Sequence, residues 1–232
     1  PQEVLVRIQA SSICGTDMHI YGWDAWAEEV VVTPNVFGHE FAGIVEAVGE
    51  QVTNVKVGDF ISAEGHQVCG VCKACRTGNA HVCPNTKSFG ITVPGCFAEY
   101  AVVPASNVIH NRTDLPPEVA CLQDPLGNAV QTVLSGDIVG KTVAVVGTGP
   151  IGLMSVIIAK ACGAGHIFAI DINEYRLKMA SELGADFTIN STNVSISEQL
   201  LEYTDGAGVD VLLEMSGHVG AIQDSLRGVA SI

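Results

Sequence analysis

The chain of 232 residues sets 25 Asp and Glu against 11 Lys and Arg, a formal net charge of −14 at pH 7, so its field repels a phosphate backbone and excludes nucleic acid as a partner. Although 47% of the residues are hydrophobic, no apolar run reaches the roughly 18 residues that a membrane-spanning helix needs, and no membrane partner is expected. The length allows two modest domains, each with its own core. The first residues show neither a basic stretch before an apolar run nor a small-residue cleavage site, and a cytoplasmic location is the expectation that follows.

Residues 1–110 hold short apolar runs at 4–8, 43–48, 59–63 and 97–103, broken by Gly, Pro and Asn, which is the pattern of an irregular β-rich domain. Past Pro116 the character changes. Residues 142–146 read as a buried strand, 150–162 as a helix and 167–170 as a strand again, a βαβ unit that starts a parallel sheet with helices on both faces. A second cycle predicts a helix at 174–183, a short strand at 187–189, a helix at 198–203 and a fourth strand at 209–214. The chain then stops, where a doubly wound dinucleotide fold usually continues to six strands, and it begins abruptly on Pro1-Gln2-Glu3. The expectation is a fragment, or the ordered part of a longer protein. Internal repeats and low-complexity tracts are absent.

The string VAVVGTGPIG puts Gly147, Gly149, Ile151 and Gly152 directly after a predicted strand and at the mouth of a predicted helix. The first glycine permits the tight turn, the second lets backbone approach a pyrophosphate, and the third allows close packing of helix on strand. The helix N-terminus then offers unpaired N–H groups to the phosphates. Asp171 ends the next strand, where an acidic side chain accepts hydrogen bonds from the ribose hydroxyls and repels a 2′-phosphate, so NAD is expected rather than NADP. Arg176 follows in DINEYRL, either to stack on the adenine or brace the ribose, or simply as an exposed helix arginine.

Four of the eight cysteines, Cys69, Cys72, Cys75 and Cys83, form C-x2-C-x2-C-x7-C. In a reducing compartment such clustering points to metal rather than disulfides. Four thiolates on one loop give a closed tetrahedral site suited to structural zinc, with an iron–sulfur cluster as the competing reading. A second, dispersed set comprises Cys14 in SSICGTDMH, His39 and Glu40 in FGHEFAG, and Asp124 in LQDPLGNAV. A thiolate, an imidazole and a carboxylate meet the needs of a catalytic zinc with one open position. Taken singly, each also has a plainer reading as a buried thiol, a core histidine or a helix cap.

The run GHEFAGIVEAVGEQV has the form G-H-E-x2-G-x5-G-x2-V and resembles the signature of zinc-containing medium-chain alcohol dehydrogenases. With the four-cysteine lobe and the glycine-rich turn in that family's order, the resemblance covers essentially the whole chain. It implies a GroES-like zinc-binding catalytic domain over 1–125 and an incomplete NAD-binding Rossmann domain over 126–232. It also implies two zinc ions per chain, one catalytic and one structural, and a homotetramer. Within the family, SICGTDMHIY, YGWDAWAEE, GHQVCGVCKACRTGNAHVC, LQDPLGNAV, DINEYRL and EMSG look most like the members that oxidise L-threonine at its 3-hydroxyl. Carried over position by position, the resemblance makes Cys14, His39 and Glu40 zinc ligands and makes Thr16 and His19 a proton relay. Asp124 is then an alternating ligand or part of the relay. The relay is favoured, because two carboxylates and a thiolate would overneutralise a Lewis-acid zinc. His66, just before the four-cysteine lobe, receives no role. The expected products are 2-amino-3-oxobutanoate and NADH. A polyol or 2,3-butanediol dehydrogenase, or a non-catalytic NAD-binding zinc module, are the alternatives.

Overall fold

In the computed structural model, which describes residues 1–230, strand β1 (Glu3–Ser12) turns Val4 and Val6 inward by the two-residue period of extended chain. It pairs antiparallel with β2 (Glu40–Val48) in a register that sets Val4 against Val48 and Ser12 against Glu40. Two short helices that the residue pattern did not suggest, α1 (Gly15–Gly22) and α2 (Ala25–Val30), lie between them. Carboxylates start both: Asp17 accepts from the Cys14 amide at 2.9 Å, and Asp24 from the Ala27 amide at 3.0 Å.

The remaining strands of this unit are β3 (Phe60–Ala63), β4 (His66–Gln67), β5 (Lys87–Ser88), β6 (Tyr100–Pro104) and β7 (Val108–His110), with helix α3 (Lys73–Arg76) between β4 and β5. The five-stranded sheet has the order β6-β1-β2-β3-β7, and β4 pairs with β5 alone. Val6, Phe41, Val45 and Ile61 are the heart of its core. The strand expected at 97–103 starts only at Tyr100. The amides of Gly95, Cys96 and Phe97 bond instead to the carbonyls of Val36, Gly38 and Phe37, which takes that stretch out of the sheet.

Two compact units divide the chain, Pro1–Asp124 and a second that starts at Pro125. Helix α4 (Pro117–Ala120) belongs to the first, and the boundary falls inside α5 (Gln123–Val133). The second unit runs β8 (Thr142–Val146), α6 (Pro150–Ala161), β9 (His166–Asp171), α7 (Glu174–Leu183), β10 (Phe187–Asn190), α8 (Ile196–Tyr203), β11 (Val211–Glu214) and α9 (Val219–Ser225). Its strands are all parallel, in the order β10-β9-β8-β11. Val143, Val145, Ile167 and Ala169 fill a core on one face and Ala144, Val146, Phe168 and Ile170 a core on the other, as a sheet with helices on both faces requires. Helix α8 starts two residues before the expected position, because Ser195 accepts from the Glu198 amide and Asp224 from the Ile196 amide. Strand β11 starts two residues late, because Val209 bridges to Val229. Among the described residues no helix is long and apolar enough to cross a membrane.

Candidate metal centre and cofactor site

Cys14 follows the end of β1 and His39 immediately precedes β2, so the antiparallel pairing of the two strands brings them to the same edge. Ligand atoms of Cys14, His39 and Glu40 all lie within 4.8 Å of one another. Glu40 is only 4% exposed and Asp17, close by, 2%. Among the described residues neither carboxylate has a Lys or Arg partner, and the nearest basic group to Asp17 is His39, whose Nδ1 is 3.6 Å from Asp17 Oδ1. Both of those atoms are buried without a hydrogen bond. Burial opposes protonation of His39, but the hydrogen bond with Cys14 and the negative charges of Asp17, Cys14 and Asp124 prevail and raise it to about 9. A thiol, an imidazole and a buried carboxylate short of positive charge fit a divalent cation, and its arrival would displace the imidazole proton.

Asp124 stands outside this set of three but beside it. A Cβ on Gly65 would lie 3.9 Å from His39 Cβ and 4.0 Å from Asp124 Oδ1. Burial raises the Asp124 carboxyl, with the charges of His39 and His66 pulling the other way. His66 is held by Glu64, 2.6 Å from its Nδ1, and this hydrogen bond raises the imidazole above its ordinary value. Thr16 is half-buried in the first turn of α1. His19, exposed on the same helix three residues on, contacts Asp24 through Nδ1 at 2.5 Å and meets the edge of Trp26. Asp24 and Glu64 each hold a histidine by a hydrogen bond, and Asp17 faces His39 at 3.6 Å without one; the sequence alone marks none of the three. The only available signal for Asp17 was an acid three positions after the residue that starts a helix.

Cys69, Cys72, Cys75 and Cys83 also converge with their sulfurs within 4.8 Å of one another. Helix α3 begins at Cys72, whose sulfur accepts from the Cys75 amide at 3.5 Å. Amides of Val71 and Cys72 hold the Cys69 thiol down to about 6, whereas burial and the neighbouring sulfurs push Cys75 up to about 12, so a metal held by all four sulfurs would have to displace the Cys75 proton. Among the described residues the set comprises four sulfurs, which suits a closed tetrahedral site.

In the second unit Gly147 turns the chain at φ 91°, where a Cβ would lie 2.7 Å from Ser216. Gly152, in the first turn of α6, presses on the Gly147 carbonyl, and a Cβ there would sit 1.9 Å from its oxygen. Gly149 caps α6 without a side-chain bond, leaving its first N–H groups directed at an anion. Gly147, Gly149, Asp171 and Arg176 line a cavity of about 440 Å³, whereas Ile151 sits in the first turn of α6, half-buried, and Gly152 acts by packing. Asp171 does more than expected. Its Oδ2 accepts from the Thr148 amide at 2.7 Å and hydroxyl at 3.1 Å, and its Oδ1 from the amides of Ile172 and Asn173. It therefore clamps the glycine turn to the end of β9, with Arg176 3.9 Å away.

The family model of the alcohol dehydrogenase GroES-like domain matches residues 1–116, half of the chain, and that of the zinc-binding dehydrogenases matches 150–231. The alcohol dehydrogenase of Thermus sp. ATN1 superposes with a TM-score of 0.90 at 34% identity, over 99% of this chain and 68% of that one. The chain belongs to the zinc-binding alcohol dehydrogenase family. A zinc-binding dehydrogenase from Sinorhizobium meliloti, solved with NADP, gives a TM-score of 0.93 at 31% identity over 99% of this chain and 67% of its own. Among curated sequences, the L-threonine 3-dehydrogenases of Bacillus subtilis and Pyrococcus furiosus are 52% and 50% identical over 229 residues, 99% of this chain. The chain spans 66% of the length of each of these two relatives. As a family member it has a GroES-like domain and, after it in the chain, a Rossmann-type parallel sheet.

Two outcomes follow from these contacts. Asp17→Asn keeps the shape but removes the charge facing His39, and zinc affinity should fall about 10- to 100-fold, the usual cost of losing a ligand's outer partner; competition with a chromogenic chelator measures it. Asp171→Ser should weaken NAD by more than tenfold, as loss of one or two charged hydrogen bonds worth about 1.5–3 kcal/mol each implies, and should make NADP competitive. Unchanged Michaelis constants for both cofactors would show that Asp171 serves the turn alone.

Proposed function

We propose that the chain carries the zinc and cofactor sites of an enzyme that oxidises the 3-hydroxyl of L-threonine to 2-amino-3-oxobutanoate, with NAD⁺ as hydride acceptor. The observation that carries this reading is the convergence of Cys14, His39 and the buried Glu40 into one partly buried site that no Lys or Arg pairs with among the described residues, in a chain about half identical to proteins named L-threonine 3-dehydrogenase. When bound, zinc supplies Lewis acidity to the substrate oxygen and the nicotinamide takes up hydride from C3. Cys14, His39 and Glu40 hold the catalytic ion, and Cys69, Cys72, Cys75 and Cys83 hold a structural one. Asp17 places its negative charge opposite His39 Nδ1, at 3.6 Å, where a ligand's outer carboxylate stands. Thr16 receives the hydroxyl proton and passes it to His19, whose Nδ1 is occupied by Asp24 and whose Nε2 remains to exchange with solvent.

Asp124 serves this relay by placing negative charge beside His39 and His66. Gly147, Gly149 and Gly152 with the start of α6 take the pyrophosphate, Asp171 the ribose hydroxyls, and Arg176 flanks the adenosine half. NAD is preferred to NADP because the Asp171 carboxylate repels a 2′-phosphate. A cytoplasmic homotetramer is part of the same reading.

Appearance of NADH absorbance with L-threonine, sorbitol and 2,3-butanediol in parallel tests the substrate. Threonine should give the fastest turnover. A preference for either of the others moves the assignment to a polyol or butanediol dehydrogenase, and silence on all three to a non-catalytic zinc module. His19→Ala tests the relay. Turnover should fall about 100-fold or more, the lower range of what a positioned acid–base group contributes, with zinc content unchanged. Loss of zinc would make His19 a ligand, and full turnover would make it a surface residue.

A further inference from the structure

Ser12 ends β1 directly opposite Glu40, and its side chain has no part in the mechanism above. Its hydroxyl donates to Glu40 Oε2 at 2.5 Å. It is the one side-chain donor to Glu40 among the described residues, and Glu40 is buried. The same oxygen lies 3.4 Å from the carbonyl of Cys121, three residues before Asp124. A hydroxyl has a single proton, so whatever Ser12 gives to Cys121 it withholds from Glu40. Backbone ladder bonds already hold β1 to β2, and the beneficiary of the hydroxyl is therefore the carboxylate.

A glutamate has three rotatable side-chain bonds, and a buried one with an unpaired oxygen carries the full cost of desolvation. Tying Oε2 to the facing strand removes both problems and fixes the carboxylate that offers an oxygen to the cluster with Cys14 and His39. We infer that Ser12 is a positioning residue for the catalytic metal, presenting Glu40 as a ligand by holding one of its two oxygens. This rests on the zinc-site reading given above.

The test uses the full chain loaded with zinc, and separately with Co²⁺, as wild type, Ser12→Ala, Ser12→Thr and Cys14→Ser. Cys14→Ser identifies which zinc belongs to this site in a chelator competition. Ser12→Ala should weaken that zinc about 10- to 100-fold, as loss of an outer-shell partner does, while the four-cysteine zinc is unchanged. Ser12→Thr, which keeps the hydroxyl and suits a strand, should restore affinity. The visible ligand-field bands of the cobalt protein should shift in the alanine variant and return in the threonine variant, which a merely structural serine would not produce. Wild-type affinity and spectrum in Ser12→Ala would overturn the role of Ser12 while leaving the zinc site intact. Equal losses in the alanine and threonine variants would overturn it too, since the hydroxyl would not be the agent. A Cys14→Ser protein with undiminished zinc would remove the underlying reading and this inference together.

Discussion

Because β1 and β2 run antiparallel with Ser12 opposite Glu40, the residues just beyond one strand and just before the other, Cys14 and His39, emerge side by side. The convergence of Cys14, His39 and Glu40 depends on this register. A slip of one residue would turn Glu40 to the other face of the sheet and set Cys14 against the wrong neighbour. The register is held by burial, since Val4 and Val6 on one strand and Phe41 and Val45 on the other belong to the same core.

That arrangement places acids where water cannot reach them. Asp17 and Glu40 are buried, and Asp124 stands close by, in a chain whose net charge is already −14. An uncompensated buried carboxylate is costly. Against the burial that opposes it, the hydrogen bond with Cys14 and the charge of Asp17 raise His39 to about 9. In the proposed reading zinc would replace the His39 proton by a stronger counter-charge, coupling ligand binding, protonation and local stability at this site. The four-cysteine lobe solves the same problem locally: amides of Val71, Cys72 and Cys75 point at the sulfurs of Cys69 and Cys72.

The cofactor site rests on a different constraint, the close approach of two backbones. Gly152 touches the carbonyl of Gly147, and Gly147 itself passes within van der Waals reach of Ser216. No side chain fits at either point. Asp171 then ties the turn to the end of β9 through Thr148, so the residue proposed to read the ribose also shapes the glycine-rich loop.

By itself the sequence determined the family's two domain types and where the clustered cysteines and the glycine-rich turn lie in the chain. The C-x2-C-x2-C-x7-C spacing is a contiguous signal, and so is a glycine-rich turn between a strand and a helix, because neighbours in the chain make the whole structure. Helix α7 lies at the residues its pattern marked, for the same reason. Tertiary structure decided what joins distant segments. The pairing of His39 with Asp17, the bond from Ser12 to Glu40, the clamp of Asp171 on Thr148 and the position of Asp124 beside His39 depend on a strand register or a packing contact. Helix α1 escaped notice because its start relies on a carboxylate reaching back to the amide of Cys14. Residues 97–99 stayed out of the expected strand because the amide of Phe97 found its partner far away in the chain, at Phe37. Local pattern records which groups a segment carries, and only the folded chain settles which distant groups satisfy them.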